Sequence, residues 1–211
     1  MTPVQVWPAG QKSLAELKRG IVEGPYELED IPFSSPTFVP RVGIWERHGS
    51  STEPSVRNID NLLVTGHNAT VATFSAHRPT DADALLGQAR CVRDNFPEDE
   101  LSGWPSDYEK AFKQIPGCPK QVEKLVLLQW NPHTSRVNAW VAYSQLFGGK
   151  SPPLNFSRYP AWACQIVAVL LGLPMTHCVD DMIVVEPAEW IMSGWRCWKR
   201  LNIYMGWYVS E

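Results

Sequence analysis

Asp180-Asp181 is an acidic pair set inside an otherwise apolar, β-prone run, Cys178-Val179-Asp180-Asp181-Met182-Ile183-Val184-Val185. Adjacent carboxylates whose neighbours favour burial repel one another and resist desolvation unless a cation neutralises them. The chemistry open to such a pair is the holding of a divalent cation, as phosphoryl-transfer enzymes hold Mg²⁺. Val179 and Ile183-Val184-Val185 suit a buried strand, which predicts a hairpin with the doublet at its turn and one carboxylate facing a cleft. The plain alternative is an ordinary surface turn, because Asp is a common turn residue.

The surrounding elements decide what else can reach that turn. Val122 to Trp130 and Val137 to Tyr143 are β-rich runs joined by Asn131-Pro132-His133-Thr134-Ser135, which predicts an antiparallel hairpin. A Gly- and Pro-rich bend, Gln145 to Pro153, leads into a long helix over Asn155 to Leu173, closed by Pro174. A further helix runs from Pro187-Ala188-Glu189 to about Asn202. Upstream, the pattern predicts a helix over Ser13 to Val22 with Ser13 as its cap, and an amphipathic helix over Asp81 to Asn95. Residues 1 to 60 otherwise read as loop and irregular strand. The Ser106 to Pro116 segment reads as a strand end or turn followed by a short helix, although Pro105 makes Gly103-Trp104-Pro105-Ser106 a poor strand.

This order indicates an α+β fold in which helices pack on one face of a small antiparallel sheet. Antiparallel neighbours in that sheet could bring Asp107 beside Asp180 and Asp181. Three such carboxylates could clamp two Mg²⁺ ions about 3.5 to 4 Å apart.

Composition narrows the classes. The 211 residues, 44% hydrophobic, can support a sizeable core. No apolar run reaches membrane-spanning length and the N-terminus lacks a signal layout, so no membrane partner and an intracellular location, nuclear or cytoplasmic, are expected. Five scattered cysteines without a CxxC pair argue against a disulfide framework and a zinc ribbon. The net charge of −3 excludes a uniformly basic nucleic-acid binder, yet it is uneven. Residues 1–104 carry nine Lys/Arg against fourteen Asp/Glu, whereas residues 105–210 carry ten against seven. Masking Asp107, Asp180 and Asp181 with metal would leave the C-terminal half clearly cationic. Of the ten tryptophans, most read as core, with Trp130 and Trp140 in sheet runs and Trp190, Trp195 and Trp198 at helical spacing. Only Trp45, near Arg47, is worth testing for base contact.

Taken in order, these segments resemble the fingers and palm of reverse transcriptases, in particular divergent retroelement-type sequences of unicellular eukaryotes. Asp107-x-x-x-Ala111-Phe112 looks like the first palm motif, Leu146-Phe147-Gly148 with Ser151-Pro152 the second, and Cys178-Val179-Asp180-Asp181 the third. Leu201 to Val209, with Met205-Gly206-Trp207, is similar to the fourth, and Arg57-x-x-Asp60 with Asn68 resembles the fingers segment. The resemblance covers residues 38 to 211, and the ordered set is far more specific than any one piece.

The resemblance implies an RNA-directed DNA polymerase, a nucleotidyltransferase adding deoxynucleotides to a primer 3′-hydroxyl. In that reading Asp107, Asp180 and Asp181 are catalytic and bind two Mg²⁺ ions, with Mn²⁺ able to substitute. Phe112 gates the sugar; Arg57, Asp60 and Gly148 meet the nucleotide; Asn68 grips the template. Implied partners are a primer-template of RNA or DNA and a deoxynucleoside triphosphate. The implied division is an irregular segment over 1–37, a fingers-like region over 38–104 and a palm-like region over 105–211, with no residues for a thumb.

Two departures from the family's pattern stand out. Cys178 occupies the usual place of an aromatic, and Pro54-Ser55-Val56 replaces the usual fingers lysine. They motivate a second expectation, a degenerate or truncated palm that binds nucleic acid or is inert, without catalysis. A metal-dependent phosphohydrolase, the third class, would need His ligands near the acids, and only His177 and His133 come near.

Overall fold

The computed structural model describes residues 7–47, 55–72 and 81–210. The Pro54 position of the fingers departure lies outside them. Contacts divide the chain into two compact units that are not contiguous in sequence: residues 1–72 with 115–152, and residues 73–114 with 153–211. The 38–104 and 105–211 segments therefore each contribute to both units.

In the first unit, α1 (Pro8–Lys18) packs on a five-stranded sheet of β1 (Val22–Tyr26), β2 (Phe38–Glu46), β3 (Ser55–Asp60), β5 (Val126–Asn131) and β6 (Arg136–Ala142), in the order β1-β6-β5-β2-β3. The predicted hairpin is β5 and β6, in unbroken register from Val126↔Val141 to Asn131↔Arg136. β2 closes the sheet by running parallel to β5 and antiparallel to β3. Regular strands thus replace the loop expected over much of residues 1–60. Val22, Val39, Leu62, Leu127, Trp140 and Leu146 form the core beneath. A short helix, α2 (His67–Thr70), follows β3.

The first helix begins five residues before Ser13. Ser13 is completely buried within it, donating to Gln129 Oε1 at 2.8 Å and accepting from Arg41 and Asn58. Its hydroxyl serves tertiary contacts, so it cannot cap, and Pro8 supplies the pre-set first turn instead.

The second unit holds a three-stranded antiparallel sheet, β4-β8-β7, made of β4 (Leu101–Asp107), β7 (Met175–Cys178) and β8 (Asp181–Pro187). Around it lie α3 (Ala82–Asn95), α4 (Ser151–Leu171, from Pro153 onward in this unit) and α5 (Ile191–Tyr204). Asp81 caps α3 by accepting from the Ala84 N–H at 3.1 Å, a role its residue type favours. The Pro105 strand forms after all, because β4 lies at the sheet edge, where a missing N–H leaves no ladder bond unmade. A single 3₁₀ turn over Ala188–Trp190 precedes α5.

Trp140 and Trp198 lie in the core as expected, and Trp130 does not. Trp140 and Trp198 are fully buried, whereas Trp130 is 56% and Trp45 63% exposed. The chain is α+β, with helices around small sheets. Among the described residues no helix is long and apolar enough to cross a membrane.

Candidate active site

Across β4 and β8 the register runs without a break from Leu101↔Pro187 to Asp107↔Asp181. Residues directly opposite in an antiparallel pair share a face, with Cβ atoms about 4.5–5.5 Å apart. Trp104, Ser106, Met182 and Val184 alternate onto the buried face, so Asp107 and Asp181 emerge on the other, both exposed.

The β7–β8 hairpin supplies the third carboxylate. Cys178 pairs with Asp181, leaving Val179-Asp180 as a two-residue loop. Val179 has a φ of 60°, the left-handed region that hairpin loops of this length require and that glycine normally fills. A β-branched residue held there stores roughly 1–3 kcal/mol of strain. The doublet is therefore split: Asp180 is at the tip, half-buried, and Asp181 is the first residue of the strand.

Asp107 feels the other two carboxylates. Partial burial first, then the charges of Asp180 and Asp181, push the Asp107 carboxyl above its ordinary value, with the Tyr108 N–H opposing. Their donor type, hard carboxylate oxygen, suits Mg²⁺, and a cation would offset the part of the Asp107 shift that the charges of Asp180 and Asp181 cause. Among the described residues no three Asp, Glu, His or Cys side chains are grouped closely enough to hold one ion. Gathering around a cation thus requires side-chain rotation, which exposed Asp107 and Asp181 can make.

What fixes Asp107 is the aromatic floor beneath it. Tyr108, 1% exposed, meets Phe156, Tyr159, Trp198 and Trp207 edge-on at ring distances of 5.3 to 6.1 Å. Trp198 Nε1 donates to Ser106 Oγ at 3.1 Å. The Met205-Gly206-Trp207 segment completes the anchor: Trp207 stacks on Tyr159 at 3.8 Å, and Val209 bridges to Tyr108. The Ser210 N–H donates to the Asp107 carbonyl at 2.7 Å. Sequence reading pointed to this segment but not to its role as the clamp on Asp107.

Phe112 lies in the same unit, in a 3₁₀ turn over Ala111–Gln114. It is 8% exposed and edge-on to Phe156 at 5.7 Å.

In the first unit the nucleotide and template candidates take other partners. Asp60 is 1% exposed and forks onto Arg41, Oδ1 on Nε at 2.6 Å and Oδ2 on Nη2 at 3.1 Å. Arg41, itself buried, also reaches Glu16 at 2.8 Å. Asp60 is thus committed to a buried ion-pair network. An arginine inside a strand gave no sequence signal of this.

Asn68, 9% exposed, clamps the Gly148 bend: its Nδ2 donates to the Gly148 carbonyl at 2.8 Å and its Oδ1 accepts from the Lys150 N–H at 2.9 Å. With its amide so engaged it shapes the bend instead of presenting itself to a template. Gly148 has a φ of 93°, and a Cβ there would lie 2.5 Å from the Asp60 carbonyl oxygen, so only glycine fits. Arg57 is exposed and pairs with Glu46 at 3.1 Å on the surface.

No family model matches the sequence, and no curated protein matches it. A solved structure of a foamy viral protease-reverse transcriptase, in complex with ds DNA, is similar to it with a TM-score of 0.66. The match has 13% identity and covers 98% of this chain but 31% of that one. At that identity the likeness is one of fold, and the fold of this chain is reverse-transcriptase-like.

Proposed function

We propose that this chain carries out reverse-transcriptase-type nucleotidyl transfer, adding deoxynucleotides to a primer 3′-hydroxyl on a nucleic acid template. The observation that carries the reading is the Asp107↔Asp181 register pair with Asp180 at the adjoining hairpin tip. The reverse-transcriptase-like fold supports it. Asp107, Asp180 and Asp181 are the residues that would hold two Mg²⁺ ions, or Mn²⁺, and bound metal there would acidify the primer hydroxyl and neutralise the triphosphate.

The chain's own contribution is positioning. The Tyr108 floor and the Ser210 bond keep the Asp107 backbone fixed, so little reorganisation is needed at the moment of reaction. In the first unit, exposed Arg57 is the proposed phosphate contact, and the Gly148 bend offers backbone to a nucleotide. The nucleic acid partner is proposed from the likeness to a protein solved with ds DNA.

A degenerate palm that binds nucleic acid without catalysis is the second reading. The buried Phe112 and the carboxylates' lack of convergence on one point favour it. Filter binding of a primer-template beside primer extension with Mg²⁺ or Mn²⁺ separates the two. Metal-dependent extension supports the enzyme; binding with no extension under either metal overturns it.

A further inference from the structure

Glu186 is an acid where the strand pattern calls for an apolar residue. It shares the inward face of β8 with Met182 and Val184 and is 3% exposed. Its Oε1 accepts from Trp104 Nε1 at 2.7 Å. No other described residue bonds to its carboxyl, and no described cation pairs with it. A carboxylate has room for about four hydrogen bonds, and the described residues supply Glu186 with one, from Trp104. Burial raises its pKa, with the Trp104 bond opposing.

Helix α5 is shaped to admit this group. A Cβ on Gly194 would stand 2.5 Å from Oε1 and 2.7 Å from Oε2, so any larger residue there would make the Glu186 carboxyl shift. Beside it is a half-open cavity of about 200 Å³, wholly within the second unit. Val92 and Leu173 contribute apolar wall. Phe96 and Trp190 add an edge-on aromatic pair at 4.9 Å, and Trp190 is 42% exposed.

A buried acid beside aromatic rings in a cavity whose other polar side chains are only Ser193 and Cys197 is a combination that recognises an organic cation. An anion would be repelled by Glu186, and a purely apolar guest would leave its second oxygen unpaired. We propose that this cavity binds a small organic ammonium, whose N–H donates to Glu186 Oε2 and whose apolar stem lies on Phe96 and Trp190. The site is independent of the acid face of the sheet and of the nucleotidyl-transfer reading.

Titration of the whole chain with benzylammonium, followed by ligand-observed NMR, tests this, with benzyl alcohol as a neutral probe of the same shape. Saturable binding of benzylammonium, about tenfold tighter than benzyl alcohol, is expected. Glu186→Gln keeps an acceptor for Trp104 and should erase that preference. Trp190→Leu, at a partly exposed position that tolerates change, should weaken benzylammonium several-fold with the thermal midpoint unchanged, and it decides the matter if Glu186→Gln does not fold. Equal binding of the two probes, an unchanged preference in a folded Glu186→Gln, undiminished affinity in Trp190→Leu, or no saturable binding would overturn the proposal.

Discussion

Asp107 and Asp181 face one another across β4 and β8 as direct register partners, on the sheet face opposite Trp104 and Met182. Two like charges so placed are a liability to the fold, and the aromatic anchoring of Tyr108 keeps them there regardless. That tension makes the face readable in stability measurements as well as in activity.

Asp107 has a raised pKa in the folded chain, so the folded state holds its proton more tightly than the unfolded one. Its unfavourable contribution is absent below the ordinary value of 3.8, grows as pH rises through the window above it, and is fully present at neutral pH. Without added metal, Asp107→Asn should therefore stabilise the chain at pH 7 by about 0.2–1 kcal/mol, the range for a relieved cross-strand like-charge pair. The gain should vanish below pH 4. Urea denaturation at the two pH values checks both the sign and the window.

Val179 occupies a left-handed backbone position that disfavours its branched side chain. Val179→Gly should stabilise the chain by about 1 kcal/mol, the relieved strain exceeding glycine's greater unfolded-state entropy. A thermal midpoint that falls in this variant would show that the Val179 side chain contributes more through contacts than its backbone costs.

Removing Asp60 would leave Arg41 buried with Glu16 as its remaining charged partner. Asp60→Asn should destabilise by about 3–5 kcal/mol, as expected when one partner of a buried pair is lost. A nucleotide contact would behave differently, leaving the urea midpoint unchanged while raising the KM for the nucleotide.

Asn68→Ala removes both bonds to the Gly148–Lys150 bend. The expected loss is about 1–3 kcal/mol, with faster hydrogen exchange at the Lys150 amide. Asn68→Asp, which keeps the acceptor for that amide and loses the donor to Gly148, should fall between. Exchange at Lys150 unchanged in the alanine variant would contradict the clamp.

Much of the acid face was legible in the sequence because it rests on local rules. Asp-Asp flanked by β-branched residues predicts a hairpin, and Asp107 after a short run predicts a neighbouring strand. What the pattern concealed was pairing over long separations. Pro105 argued against a strand, yet edge position removes the objection. Ser13 looked like a cap until its hydroxyl met Gln129, 116 residues away. The resemblance implied ligand contacts at Asp60 and Asn68, and polar type alone did not show that one pairs with Arg41 and the other spans a bend. Glu186, by contrast, could have been found: it falls on the same period-two face as Met182 and Val184, where an acid is out of place.

The central claim is that Asp107, Asp180 and Asp181 form a working acid face. Single-nucleotide primer extension with Mg²⁺, comparing the unaltered chain with Asp180→Asn, tests it most directly. Mg²⁺-dependent incorporation of a deoxynucleotide is expected, reduced about a thousandfold or more in Asp180→Asn while primer-template binding and folding are kept. Incorporation that survives the substitution undiminished would contradict it.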